Sequence, residues 1–473
     1  MREALLDESR KVHLPKYVWP RLLVIGIVSF AIGGTSFLWG TRAVYIASYF
    51  IQGNPSMTVE NVLIMQSIQV FASNFGVAIG NTSLRLAGSV RKVFIYLAIV
   101  FAATSFPMLL INNFWWVLLL RIIMGLAMGV AWYQPMGLAW GTFPNKKGLL
   151  YGIFSAANFF ALILFSQLTM MIVNPDNALP NGQYFPPEVY SNVPKMFNIL
   201  GGIYVVLLLL AAICAFDQKR MGNLSNVDEM INEPQLFDED GNIQAAKRLS
   251  SFQAFQSTLK CPRLWMLAIM LLFAMIGPAI LLNNFKVYGF EMKFDDLKLT
   301  LLFNVITATL PFQKLFTPIL AEKIGNRKLV AIVLVLNIIN AILLKTTTQT
   351  NIWYYGLVSG ISTLSYHTMW TISVTYPSAE FPKETQPMII SLLGVFMSAG
   401  DIGSQSFLVL GLSFSQIFLL GLILGVIALF LLIFLEDGTI LTGKKLPDKK
   451  AILTFKASEV SVSDDRSSEG TRI

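Results

Sequence analysis

GTFPNKKGLLYGIFSAANFF, from Gly141 to Phe160, places two lysines between long apolar runs and follows them with a stretch rich in Gly, Ala and Ser. A looser copy, AEFPKETQPMIISLLGVFMSAG, runs from Ala379 to Gly400; the shared Phe-Pro pair moves from Phe143 to Phe381, an offset of 238 residues. An element written twice at long range points to an internal duplication, and the question becomes what kind of unit was duplicated.

The surrounding composition answers that the unit lies in lipid. The chain has 473 residues, 55% hydrophobic and 13% charged, where a soluble globular protein carries about 25% charged residues. Mean hydropathy is +0.62, as expected for a chain with most of its length in a bilayer. The net charge of +8 would suggest nucleic acid in a soluble protein. Here the basic residues flank apolar segments, so they read as membrane-orientation signals and no nucleic-acid partner is expected. Cys214 and Cys261 lack metal or redox spacing, so no disulfide framework, metal or cofactor is expected.

A span needs about 20 mostly apolar residues, since the hydrocarbon core is ~30 Å thick and a helix rises ~1.5 Å per residue. Twelve runs meet this: 19–44, 58–82, 91–112, 115–139, 148–173, 195–215, 263–286, 299–321, 328–346, 352–376, 385–410 and 414–435. The predicted fold is an all-α membrane protein with two pseudo-symmetric six-helix bundles, 19–215 and 263–436. A cytosolic tail (1–18), a polar, acidic cytosolic linker (216–262) and a disordered cytosolic tail (437–473) complete the chain. The N-terminus lacks the pattern of a cleaved signal peptide.

With both termini in the cytosol, 27 of the 35 Lys and Arg fall on cytosolic segments, and Lys195, Lys286, Lys293, Lys298 and Lys345 fall outside. This asymmetry sets the expected orientation. Under it, the two quoted elements occupy equivalent places, between spans 4 and 5 and between spans 10 and 11. Two further pairs repeat in the same order. Pro20–Leu22 and Pro262–Leu264 both read PRL, while Val90–Lys92 and Asn326–Lys328 read VRK and NRK. Parallel six-span repeats are one way transporters build two bundles that rock around a central site.

These motifs resemble the major facilitator superfamily over roughly 19–436. RIIMGLAMG, with Arg121, Gly125 and Gly129, is similar to its fourth-span motif. FPNKKGLLYGI resembles the FP-x-[KR]-[KR]-G-x-x-x-G element of the oxalate/formate antiporter and monocarboxylate porter branch. NVPKMFNILGGIY and LKCPRLWML are similar to stretches of protist members. The loop after span 2 keeps Gly80, Arg85, Gly88 and Arg91, with Leu84 where the pattern carries Asp. Its counterpart after span 8 keeps Glu322, Gly325 and Arg327. Lys314 stands where the branch carries Arg, and Thr317 and Pro318 replace a Trp-Gly pair. The branch's eleventh-span cation has no counterpart; Asp401 is the ionisable group there, which argues against a dicarboxylate substrate.

An ionisable group inside a span costs about 2.5–3.5 kcal/mol on insertion scales, so it usually faces a partner or a hydrated cavity. Lys314 offers a point charge for a carboxylate, or else pairs with an acid or snorkels. Arg42, near the outer end of span 1, and Arg121, in span 4, are further substrate-binding candidates; an interfacial anchor and a packing element are the alternatives. Asp401, read as the one deep acid, and His367 in span 10 are candidates for carrying a coupling proton. Asp401 could equally pair with Arg42 or Lys314, and a neutral His367 bonded to Ser365 or Tyr366 is the plainer alternative. Gly80, Arg85, Arg91, Gly125, Gly129, Glu322, Gly325 and Arg327 are read as gating or structural positions.

The sequence therefore reads as a monomeric secondary transporter of a small organic anion, a monocarboxylate, coupled to protons or to exchange, in the plasma membrane or an organelle membrane. A carrier of a neutral or zwitterionic solute and a non-transporting sensor are the alternatives. An intramembrane enzyme is the least favoured reading: an aspartyl protease needs two deep aspartates where one is visible, and the two histidines, His13 and His367, cannot form a His-Glu-x-x-His motif.

Overall fold

The computed structural model describes residues 17–34, 39–54, 57–107, 113–143, 146–181, 184–216, 236–237, 243–244, 255–256, 258–344, 351–381 and 385–436. The tails, most of the 216–262 linker, Lys345, and the Pro-Asn and Pro-Lys-Glu portions of the two quoted elements lie outside the described residues.

The first half comprises α1 (Val18–Gly34), α2 (Trp39–Phe50), α3 (Val59–Ala87), α4 (Val90–Ser105), α5 (Phe114–Thr142), α6 (Lys147–Val173), a short α7 (Pro187–Tyr190) and α8 (Val193–Cys214). The second comprises α9 (Pro262–Asn283), α10 (Phe285–Glu291), α11 (Asp296–Ala308), α12 (Leu310–Ile324), α13 (Asn326–Leu344), α14 (Ile352–Glu380), α15 (Gln386–Val409) and α16 (Phe414–Glu436). Among the described residues the only strands are a two-residue ladder, Leu236–Phe237 against Ile243–Gln244. We call the end where α1 begins and α16 finishes the proximal end, and the opposite end distal.

Among the described residues, nine helices have the length and apolar character to cross a membrane. The other three expected spans are helical but fall short for identifiable reasons. Span 1 comprises α1 and α2, on either side of residues 35–38, and extends to Phe50, beyond the expected limit at 44. Span 3 is the 16-residue α4. Span 10 is α14, long enough at 29 residues but loaded with buried Ser359, Ser362, Thr363, Ser365, His367, Thr368, Thr371 and Ser373. Span 8 is divided, at Thr309, where Pro311 removes a backbone donor from the start of α12.

The duplication is visible in local chemistry. Helices α5 and α14 are both 29 residues long and begin 238 residues apart, at Phe114 and Ile352. Each is capped by an asparagine: Asn113 accepts from the Trp115 amide at 2.9 Å, and Asn351 accepts from those of Trp353 and Tyr354 at 3.1 and 3.0 Å. Such caps satisfy the orphan donors of a helix start. At the proximal ends of α3 and α12, Gly88 and Gly325 adopt φ of 75° and 89°, a conformation that glycine takes without steric cost. Arg91 then donates to the Ala212 carbonyl at the end of α8, at 3.2 Å, and Arg327 donates to the Ile433 carbonyl near the end of α16, at 3.3 Å. Each arginine thus caps the last helix of its own half, where a cation complements the helix dipole.

Within the first half, α3 packs on α5 backbone to backbone. A Cβ at Gly129 would lie 1.8 Å from the Ser73 carbonyl oxygen, and one at Gly125 would lie 2.3 Å from that of Gln69. The fourth-span glycines are therefore packing elements. Two seams join the halves: α3 against α15, and α6 against α11 and α12. On the first seam Asn74 donates to Ser398 at 2.9 Å, and Ser391 donates to the Asn74 carbonyl.

Candidate functional site

Helix α6 runs along the second seam and meets the other half at three levels. Near its proximal end, a Cβ on Gly152 would lie 3.1 Å from the Lys314 carbonyl oxygen. One to two turns further on is the central level. The Lys314 Nζ lies 5.6 Å from the Phe159 ring centre, and the His367 imidazole meets the same ring edge-on at 4.5 Å. Just beyond its distal end, Asn174 donates to Asp296 at 3.0 Å.

At the central level Lys314 is buried and donates to the His367 carbonyl at 2.7 Å and to Thr371 Oγ1 at 2.8 Å. Both acceptors are neutral. Among the described residues no carboxylate lies within the 4.0 Å of an ion pair. The structure thus brings Lys314 and His367 together through the His367 backbone. Its ring stacks edge-on against Phe159 and, at 5.1 Å, against Tyr366.

The two arginines are elsewhere. Arg42 on α2 donates through Nε to Thr169 on α6 at 2.9 Å. Thr169 is ten residues beyond Phe159, or ~15 Å along a helix. Arg121 on α5 donates to Gln69 at 3.4 Å and stacks 5.3 Å from the Phe197 ring centre. Both guanidiniums are buried, and Tyr204 lies within Coulombic reach of each. They form a cationic cluster within the first half, distal to Lys314.

Asp401 on α15 pairs with neither Arg42 nor Lys314. It is buried and accepts from Asn283 Nδ2 at 2.6 Å. Tyr366 and His367 sit side by side on α14, which packs against α15. Of the positions read as gating or structural, Arg85 donates weakly to Thr82 at 3.4 Å within its own helix. A Cβ at Gly80 would meet the Tyr133 ring at 2.4 Å. The Glu322 side chain lies outside the described residues.

One cluster escaped the sequence reading. Lys286, counted there as an external loop residue, is buried at 1% exposure and forms an ion pair with Asp296, itself at 0%. Asp296 is thus a second buried acid, at the distal start of α11 and not deep within a span as Asp401 is. Tyr45 of α2 donates to Asp296 at 2.6 Å, and Lys286 lies 5.0 Å from the Tyr45 ring centre. With Asn174, the first half supplies two side chains and the second half two charges. The missed signal was spacing: Lys286 and Asp296 stand ten residues apart in a short polar connection, which reads as solvated.

Two helical halves, a divided eighth span, and buried charges at the seam define a membrane carrier fold. The chain matches the Major Facilitator Superfamily over residues 69–404 and belongs to that family. It is not an enzyme. Among solved structures, it is similar to the xylose transporter of E. coli in a partially occluded inward open conformation (TM-score 0.64, 14% identity, 91% of this chain and 100% of that one). A D-xylose-proton symporter gives a TM-score of 0.65 at 15% identity with the same coverage. A nucleoside transporter gives 0.60 at 12% identity, over 89% of this chain and 100% of that one. Among characterised proteins, it is 27% identical over 248 residues to apicoplast pyruvate carrier 1 of Toxoplasma gondii, covering 41% of this chain and 45% of the relative. The match thus spans less than half the length of that protein.

Proposed function

We propose that the chain carries a small monocarboxylate such as pyruvate across a membrane by alternating access, with Lys314 neutralising the carboxylate. The observation that carries this reading is a buried ammonium at the seam between the halves with only neutral acceptors within reach. Burying such a charge in a span costs about 2.5–3.5 kcal/mol on insertion scales, and an anionic substrate offsets it. The likeness to a pyruvate carrier supports the same class. Arg42 and Arg121 add positive potential on the distal side of Lys314. Asp401, buried beside an amide and not beside a cation, carries the coupling proton, relayed toward Lys314 past Tyr366 and His367. The proximal end faces the cytosol, following the basic-residue bias, and the 216–262 linker joins the two bundles there.

The test is uptake of labelled pyruvate into proteoliposomes, with and without a pH gradient. Lys314→Gln abolishes uptake while the protein inserts normally, and Asp401→Asn removes the response to the gradient. Unchanged uptake by Lys314→Gln, or competition by amino acids and not by carboxylates, would overturn the assignment.

A further inference from the structure

The span formed by α11 and α12 is divided lengthwise. Within α11, at ~100° per residue, Asp296, Thr300, Asn304 and Thr307 fall within about 80° of one another, and Lys314 continues the buried side beyond the break at Thr309. All five are buried. Leu301, Val305, Phe312 and Phe316 lie away from that stripe and are all exposed, as lipid-facing residues should be. A polar stripe on a membrane helix that is turned into the protein marks a hydrated cavity or a solute path.

Three members of the stripe have their polar atoms engaged. Asp296 belongs to the distal network. Thr307 donates to the Phe303 carbonyl at 2.7 Å. Lys314 sits at the centre. The other two do not: Thr300 Oγ1, Asn304 Nδ2 and Asn304 Oδ1 are buried with no hydrogen-bond partner among the described residues. Most buried threonines here spend the hydroxyl on the carbonyl four residues back, as Thr307, Thr363 and Thr371 do. Thr300 leaves its own unspent. Residues four apart on a helix are neighbours, about 5–6 Å between Cβ atoms, so the Thr300 hydroxyl and the Asn304 amide can address one ligand group. Buried polar atoms without partners are rare, and each calls for a ligand, a water or a functional reason.

We propose that Thr300 and Asn304 form an uncharged waypoint for the substrate carboxylate, on the distal half of the path between the Tyr45–Asp296 network and Lys314. The proposal rests on the carboxylate reading of Lys314. Ten residues, or ~15 Å of helix, separate Asn304 from Lys314, so a small carboxylate occupies them in turn. Hydroxyl and amide donors hold an anion less tightly than a full charge does. The waypoint therefore hands the carboxylate on, and conduction through a series of sites requires each to be weak enough to leave.

The test uses the full chain with Cys214 and Cys261 replaced by serine, carrying T300C, N304C, or the lipid-facing controls L301C and V305C. Membrane-impermeant methanethiosulfonate reagents are applied from the distal side, with and without pyruvate. T300C and N304C react, pyruvate slows both, and the two controls stay unmodified. N304L lowers pyruvate uptake about tenfold, the expected loss of a hydrogen bond to a charged group, and N304S restores most of it. N304C that stays unreactive even when K286M and D296N remove the distal ion pair overturns the waypoint. So does N304C that reacts at a rate indifferent to pyruvate in a chain that transports pyruvate. A parent chain that moves no pyruvate overturns the carboxylate reading itself.

Discussion

The Tyr45 hydroxyl reaches Asp296 at 2.6 Å across 251 residues of sequence and across the boundary between the two halves. Asp296 is also the partner of buried Lys286 and an acceptor for Asn174. One carboxylate therefore holds the distal end together.

Breaking that carboxylate should cost more than removing the pair. Asp296→Asn leaves Lys286 buried without its partner, a situation worth about 3–5 kcal/mol of destabilisation. Lys286→Met combined with Asp296→Asn should recover most of it. Tyr45→Phe loses one hydrogen bond to a charged group, about 1.5–3 kcal/mol. Thermal unfolding of the four proteins in detergent checks the order: Asp296→Asn lowest, then Tyr45→Phe and the double variant, with the parent highest. A double variant no more stable than Asp296→Asn would show that the pair is not the unit.

Lys314 should show the opposite relation between stability and activity. Its replacement by Met removes a buried charge that no described carboxylate offsets, and fills similar volume. Lys314→Met should unfold at a higher temperature than the parent while losing pyruvate uptake by at least about a hundredfold, the trade expected where a site is held at a cost to the fold. A lower unfolding temperature would mean that Lys314 is a structural contact.

Gly129→Ala should be lost at the folding stage. The new Cβ would lie 1.8 Å from the Ser73 carbonyl oxygen, and helix backbones do not yield as flexible side chains do. Gly202, with nothing within 4 Å of the corresponding position, is the control. Its replacement by Ala should be neutral or stabilising by up to about 1 kcal/mol, the helix-propensity difference. Yield of monodisperse protein separates the two.

Distal closure should depend on pH through Glu291. This residue of α10 lines a cavity of about 460 Å³ together with Glu60 of α3, from the other half. Partial burial, and then the charge of Glu60, push its carboxyl above the ordinary carboxylate value. The raised value means that the closed contact favours the protonated acid. Closure is then strongest below the ordinary carboxylate value, and its advantage is lost as pH rises through the raised one and a second negative charge forms opposite Glu60. Crosslinking of a cysteine pair across the distal seam should fall with rising pH in the parent and stay flat in Glu291→Gln.

Much of this architecture was legible because lipid imposes coarse rules. Long apolar runs located the helices and the repeat at 238 residues marked the two halves, and Lys314 stood out because a charge in a span is rare. The unread parts depended on three-dimensional meeting points. Lys286 and Asp296 lie in what reads as a solvated connection, and only their contact with Tyr45 and Asn174 buries them. Arg42, grouped with Lys314 from sequence, is directed by Thr169 to a different level. Thr300 and Asn304 look like ordinary polar residues until their neighbours are known to leave them unpartnered.

Helix α6 touches the eighth span at both extremities, through Gly152 beside Lys314 and through Asn174 at Asp296, with Phe159 between. A hinge follows from this arrangement. Prising apart the distal extremity swings the pair about the Gly152–Lys314 contact, so the ammonium group and the ring beside it, close to that contact, are displaced least. Cargo held there would stay nearly still while the walls around it trade places.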